Sequence, residues 1–388
     1  VAVLPGLTAE GGEPDPTREL VMRTTEQDLD ELSRGLAAWL SGPLAANGPV
    51  SLTNVQVPEG GGLSSVTFLA DAEWREGGRI RRRPIAARVA PENSSFPVFP
   101  EYDLRLQYDV MAAVARHGRV PVPPLIGIDA TGRTLGSPFL VMDRMPGEKP
   151  GDNPPYVFGG WLYDASPDQR RAVQDATVDV LAGIHSLPEP ATRLPALSTG
   201  GKDALRCHYD RTTAHYEWSR RSDGMRIPVL ENAFAWLEER WPRDTGEPVL
   251  SWGDARPGNI LYEDFAPRAV LDWEMAALGP REIDLGWYVF LHRFFQDIAE
   301  SANVPGLPDF ARRDDVVETY EDRTGYRVRE FDWYLVYAAV RHGVVMSQIA
   351  RRMIHFGELT PPEDPDGYIL HHEALDRLVK GTYAWPTR

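Results

Sequence analysis

Residues 251–259 read SWGDARPGN: a carboxylate, Asp254, stands five positions before an amide, Asn259, in a loop supplied with Gly253, Pro257 and Gly258. Asn259 to Tyr262 and Ala269 to Asp272 then read as two short strands, with EDFAPR (263–268) as a hairpin connection. Pairing Tyr262 with Ala269 places Asn259 opposite Asp272, and directly opposed residues hold their Cβ atoms about 4.5–5.5 Å apart. An amide oxygen converging with a carboxylate makes a hard-oxygen site suited to Mg²⁺, which takes one or two protein ligands and keeps room for phosphate oxygens and water. Asp254 is then the free carboxylate, placed to orient or deprotonate a hydroxyl. Taken alone, the pattern fits an ordinary hairpin closed by turn-forming Asp and Asn equally well.

Working outward, the hydrophobic period changes along the chain. TEQDLDELSRGLAAWL (25–40) sets Leu29, Leu32, Leu36 and Leu40 on one helical face, with Thr25 and Asp28 as a capping box. SLTNVQV (51–57), SVTFLADAEW (65–74) and RPIAARVA (83–90) read as strands, and a helix from Asp103 to His117 precedes two more, LIGID (125–129) and SPFLVMD (137–143). MPGEKPGDNPP (145–155) is a linker by its Pro and Gly content. Beyond it, helical patterns run over 167–187, 204–221, 228–240, 283–300, 309–323 and 329–356, interrupted only by the β island around SWGDARPGN. The expected organisation is an extension with an amphipathic helix over 1–44, a β-rich lobe over 45–147, and a larger helical lobe over 148–388.

Composition narrows the function. The 388 residues are 42% hydrophobic and carry a net charge of −16, which argues against nucleic-acid or anionic-membrane binding. The charge is uneven, −4 over 1–147 and −12 over 148–388, so the second lobe would favour a cationic ligand unless its acidity is simply a solvated surface. Only Lys149, Lys202 and Lys380 occur among 41 basic residues, and none lies in a G-x-x-x-x-G-K-[ST] phosphate loop. There is no G-x-S-x-G, no H-E-x-x-H and a single cysteine, Cys207; with no basic, apolar leader, the expected location is the cytoplasm.

An Asp, an Asn five positions later and a second Asp at hairpin distance form the base-and-metal set of protein kinases. Here Gly253, Asp254 and Asn259, then LDWE (271–274), Gly279, Asp284 and Leu285 resemble the aminoglycoside phosphotransferase and choline kinase family. VLDWEMAALG is most similar to the kinase-like proteins related to the domain fused to acyl-CoA dehydrogenases. TLGSPFLVMDRMPG (134–147) and LAGIHSLP (181–188) fall where that family places its own segments. The resemblance implies an α+β, protein-kinase-like two-lobe fold: a small N-terminal antiparallel β-sheet lobe with one helix, and a larger, mainly helical C-terminal lobe. It implies ATP and Mg²⁺ as cofactors and a small-molecule hydroxyl as acceptor.

The family's roles carry over residue by residue. Asp254 is the catalytic carboxylate, and Asn259 and Asp272 hold the metal. Asp284 resembles the buried Asp that braces the catalytic loop, although a helix N-terminal acid beside Arg281 explains it equally well. Arg256, two after Asp254, would stabilise charge on the transferred phosphoryl group. Gly60, Gly61, Gly62, Ser64 and Ser65 form the loop over the phosphates. With no Lys before 149, Arg88 stands in for the phosphate-binding lysine in preference to Arg81, Arg82 or Arg83, and Gln107 occupies the position of its usual Glu partner. In the hinge VMDRM (141–145), the Asp143 carbonyl and Met145 amide would receive adenine. Trp252 replaces the family's usual His; it keeps a ring and one N–H donor but cannot titrate.

The competing class is a nucleotide-binding pseudokinase serving as an interaction module, favoured by Trp252, Arg88 and Gln107 and opposed by the intact Asp254, Asn259 and Asp272. For the acceptor, the acidic second lobe suits an amine. The acyl-CoA-dehydrogenase resemblance suits hydroxyacyl or CoA-linked groups, with Arg220, Arg221, Arg341, Arg351 and Arg352 as anion contacts if they are not solvated helix-surface residues. Trp218, Trp236, Trp287 and Trp333 are expected chiefly in the core, and His371 and His372 on the surface.

Overall fold

The structure is a computed structural model that describes residues 29–46, 48–58, 66–91 and 96–386. Helix α1 (Leu29–Leu40) precedes strands β1 (Ser51–Gln56), β2 (Val66–Glu76) and β3 (Arg79–Val89), helix α2 (Leu104–His117), and strands β4 (Leu125–Asp129) and β5 (Phe139–Asp143). The five strands form one antiparallel sheet in the order β1-β2-β3-β5-β4. Because side chains alternate across a strand, β3 and β5 divide their residues between two cores. Ile85, Ala87, Val89, Phe139 and Val141 meet Leu36 and Leu40 of α1, whereas Ala86, Leu140 and Met142 join the larger core with α2. Arg88 alternates with Ala87 and so shares the face of Ala86, the one turned toward the second lobe.

The second lobe contains α3 (Trp161–Asp164), α4 (Pro167–His185), α5 (Pro190–Arg193), α6 (Ala204–Ser219) and α7 (Pro228–Glu239). Then come β6 (Val249–Ser251), β7 (Ile260–Glu263), β8 (Ala266–Val270) and β9 (Ala277–Gly279), followed by α8 (Glu282–Ser301), α9 (Arg313–Thr324), α10 (Phe331–His355) and α11 (His372–Val379). α4 begins with a full capping box, Ser166 and Gln169 each satisfying the other's backbone N–H, with Pro167 at the first helical position. α10 is the lobe's central helix, buried from Phe331 to Met353 almost without interruption.

The expected two-lobe α+β arrangement is therefore present, with three corrections. The hairpin register differs: Ile260 pairs with Val270, Leu261 with Ala269 and Tyr262 with Pro267. Asp264 and Phe265 both take positive φ, 51° and 64°, so the turn is a two-residue one and Pro267 and Arg268 belong to β8. Asn259 consequently faces Leu271, whose N–H donates to its carbonyl at 2.9 Å, and Asp272 lies one residue further on. Arg341, Arg351 and Arg352 are buried rather than on a helix surface, each donating to a group that fixes it: the carbonyl of Gly253, the carboxylate of Asp223 and the carbonyl of Phe96. His371 is buried too, its Nε2 at 2.9 Å from the Ala339 carbonyl. Thr25 and Asp28 lie outside the described residues.

Buried histidines give the fold a pH dependence. Burial lowers His215 and His371 to about 4 and His292 to about 3. Below the unfolded value of about 6.5 the unfolded chain binds protons that the folded one refuses, so stability is lost as pH falls from 6.5 toward 4. At pH 5 the loss is about 2 kcal/mol for each of the three, to order of magnitude. The thermal midpoint should fall clearly between pH 7.5 and 5, above the range where carboxylates protonate, and His292→Phe should reduce that fall.

Candidate active site

The catalytic-loop candidate leaves β6 at Ser251 and is held by a single carboxylate. Asp284, fully buried in the first turn of α8, accepts from Ser251 Oγ at 2.7 Å, Trp252 N at 2.7 Å and Gly253 N at 3.0 Å, with His185 Nε2 at 3.0 Å. Burial alone would raise its pKa, but His185 and these donors outweigh that and hold it below the usual carboxylate value. Trp252, with no exposed surface, donates its indole N–H to the carbonyls of Leu271 at 2.9 Å and Asp272 at 3.1 Å. It thus ties the loop to the segment carrying Asp272, a bracing function that requires a donor and a ring but no titration. Gly253 has φ 91°, and a Cβ there would collide with the Met275 carbonyl. Gly253→Ala should destabilise the protein by roughly 2–3 kcal/mol from backbone strain and overpacking, measured by chemical denaturation.

Asp254 is 1% exposed. Its Oδ1 accepts from Trp287 Nε1 at 2.7 Å and Arg256 Nε at 3.0 Å, and its Oδ2 from Asn259 Nδ2 at 2.7 Å. Burial pushes its pKa up, yet Arg256, Trp287 and Asn259 together bring it well below the usual carboxylate range, so the group is ionised. Arg256 is itself buried, and its Nη1 reaches the Asp152 carboxylate at 2.5 Å. Asn259 also donates to the Asp254 carbonyl at 3.1 Å, closing the loop on itself.

The third part comes from across the lobes. Arg88 Nη1 stands 3.2 Å from Asp272 Oδ1 and its Nη2 3.7 Å from Glu274 Oε2. Asp272 has φ 58°, a left-handed conformation that a non-glycine residue keeps only under tertiary constraint, and such strain concentrates at functional sites. Arg81, Arg82 and Arg83 pair instead with Glu76, Asp71 and Asp143 along the sheet. Gln107 is buried on α2, and the carboxylates that meet Arg88 belong to Asp272 and Glu274. Asp143 ends β5 with its side chain on Arg83, and Met145 follows it, half-buried, at the lobe junction. Gly60, Gly61, Gly62, Ser64 and Ser65 lie outside the described residues.

The structure brings Asp254, Arg256, Asn259, Asp272 and Arg88 into one region, together with four side chains to which the sequence assigned no part in it. Asp152 lies in a segment read only as linker. Trp287 is expected in the core or lining a pocket, and its position three residues after Asp284 on α8 is the available signal. Glu274 closes LDWE (271–274), where the sequence assigns it no role. Arg341 Nη2 donates to the Gly253 carbonyl at 3.0 Å and its guanidinium lies 4.4 Å from the Trp287 ring; only the burial of α10 reveals it.

Among the described residues, no group of three or more His, Cys, Asp or Glu converges as a metal centre. Asn259 and Asp272, the oxygen pair expected to hold Mg²⁺, do not oppose each other: Asn259 faces Leu271, and Asp272, one residue on, meets Arg88. Nor is any helix among them long and apolar enough to cross a membrane.

Comparison with known proteins bears on the family and the fold. The mouse acyl-CoA dehydrogenase family member 10 is 29% identical over 211 residues, 54% of this chain; the match spans only 18% of that protein's length. A candidate aminoglycoside phosphotransferase from Ralstonia eutropha has a similar structure, with a TM-score of 0.61 at 21% identity, covering 90% of this chain and 97% of the other. A thermostable aminoglycoside phosphotransferase APH(4)-Ia, solved with ADP and hygromycin B, gives 0.53 at 15% identity over 90% and 99% of the two chains. Residues 96–326 match the model of the phosphotransferase enzyme family, and the chain belongs to that family of transferases, with its kinase-like two-lobe fold.

Proposed function

We propose that the protein transfers the γ-phosphoryl group of ATP, with Mg²⁺, to a hydroxyl of a small molecule. The observation that carries the reading is the setting of Asp254: ionised, buried, bonded at both oxygens, and closed against Asn259 beside the segment that carries Asp272. An ionised carboxylate so held orients an acceptor hydroxyl and receives its proton as the new bond forms. Asn259 has its amide nitrogen committed to Asp254, which leaves Oδ1 as its donor atom for a cation. With the Asp272 carboxylate it fits Mg²⁺, whose contribution when bound is to neutralise charge on the phosphate oxygens. Arg88, drawn from the N-terminal sheet to Asp272, supplies a cation where the nucleotide phosphates would lie.

Against the pseudokinase reading, which rests on Trp252, Arg88 and Gln107, stands the bracing position of Trp252, whose indole N–H is taken up by the Leu271 and Asp272 carbonyls. The acceptor class is tested directly. Mg²⁺-dependent ATP turnover should appear with at least one class among aminoglycosides, amino alcohols, sugars and hydroxyacyl-CoAs. Absence of both nucleotide binding and turnover across that panel contradicts the kinase reading.

A further inference from the structure

Asp152 is a carboxylate at the site to which the mechanism assigns no role. Asp152 lies in the linker that joins the lobes, its side chain 14% exposed and bonded to Arg256 Nη1. Arg256 Nε faces both oxygens of Asp254, at 3.0 and 3.1 Å. One guanidinium therefore spans two carboxylates, one from the linker and one from the catalytic loop.

The surroundings are shaped for this arrangement. Glu148 and Tyr262 exchange two backbone hydrogen bonds of 2.8 Å, laying the linker along β7. Gly147, at φ 111°, passes so close to the Tyr262 carbonyl that a Cβ would not fit. A Cβ on Gly258 would strike both the Asp152 carboxylate and Arg256 Nη1, so the glycine clears the space that the pair occupies. Tyr156 N donates to the Gly151 carbonyl at 2.8 Å, closing the turn that presents Asp152.

A guanidinium bonded at one end pivots about its chain, whereas a planar fork held at Nε and Nη1 by separate carboxylates has a fixed plane. We propose that Asp152 is a positioning residue for phosphoryl transfer: it anchors Arg256 against Asp254, so that the linker between the lobes orients the carboxylate that receives the acceptor. This inference rests on the function proposed above. It also gives Arg256 a different task from contacting the transferred phosphoryl group, since its Nε and Nη1 are directed at carboxylates.

The test is a double-mutant cycle on Mg²⁺-ATP turnover with an accepted hydroxyl substrate, using Asp152→Asn, Arg256→Met and the double variant. Asp152→Asn should lower kcat by about 10- to 100-fold, the range expected of a misoriented catalytic group, with KM for ATP within about twofold. Arg256→Met should lower it at least as far, and the double variant should be no slower than Arg256→Met, because Asp152 acts only through Arg256. Asp152→Glu, which keeps the carboxylate, should restore part of the rate. Losses that multiply in the double variant, or Asp152→Asn with a lowered thermal midpoint and full kcat, overturn the proposal while leaving the kinase reading intact. No turnover by the unaltered protein overturns both. Asp152→Ser with Arg256→Gln forms a second cycle should a variant of the first fail to fold.

Discussion

Asp254→Asn should reduce ATP-dependent phosphorylation by about 10³-fold, within the range seen for loss of a positioned acid–base group, while nucleotide binding persists. The substituted amide keeps one oxygen to accept from Trp287, but its nitrogen becomes a donor facing the donors of Arg256 and Asn259. Stability should therefore fall as well, by about 1–3 kcal/mol for unsatisfied buried groups. Titration calorimetry with ATP separates the two effects, since a folded variant that binds nucleotide without turning it over has lost the chemistry alone. Turnover that survives Asp254→Asn contradicts the assignment of Asp254. Because Arg256, Trp287 and Asn259 hold Asp254 ionised against the opposing effect of burial, the unaltered protein should show no acid limb from this group between about pH 5 and 8.

Asp284→Ala should be the most destabilising substitution at the site. It removes the acceptor for Ser251 Oγ, Trp252 N, Gly253 N and the His185 ring together, and leaves these buried donors unpaired. Loss of one partner from a buried charged network costs about 3–5 kcal/mol, and chemical denaturation should read a loss of that size. Asp284 touches no reacting group, so activity lost in Asp284→Ala should return in part as stabilising conditions refold the loop. In Asp254→Asn it should not. A denaturation midpoint unchanged in Asp284→Ala would show that the loop is held by other means.

The two substitutions also mark how far the sequence could be read. Asp284 was legible in two ways, as a loop brace or as a helix N-terminal acid, and it is both: it stands in the first turn of α8 and binds the loop. The hairpin was placed but its register was not, because Phe265 carries no signal for the left-handed conformation that shortens the turn. His371 and the arginines of α10 were misplaced for a related reason. Charge and polarity predict exposure on average, but a central helix can bury an Arg when a fixed carbonyl or carboxylate accepts its hydrogen bonds.

What the sequence determined by itself was the local chemistry: a Gly-Asp loop, an Asn five residues on, a second Asp beyond a short hairpin, and strand and helix periods that divide the chain into two lobes. Such features depend on neighbours a few residues apart, where spacing and residue type limit the geometry. What only the tertiary structure decided was which distant groups complete the site. Trp287 and Arg341 from the helical core and Asp152 from the linker reach the Asp254 loop from separate elements. A buried carboxylate is stable only where donors converge on it. Which donors those are depends on how the elements pack, and that is not written in any single stretch of the chain.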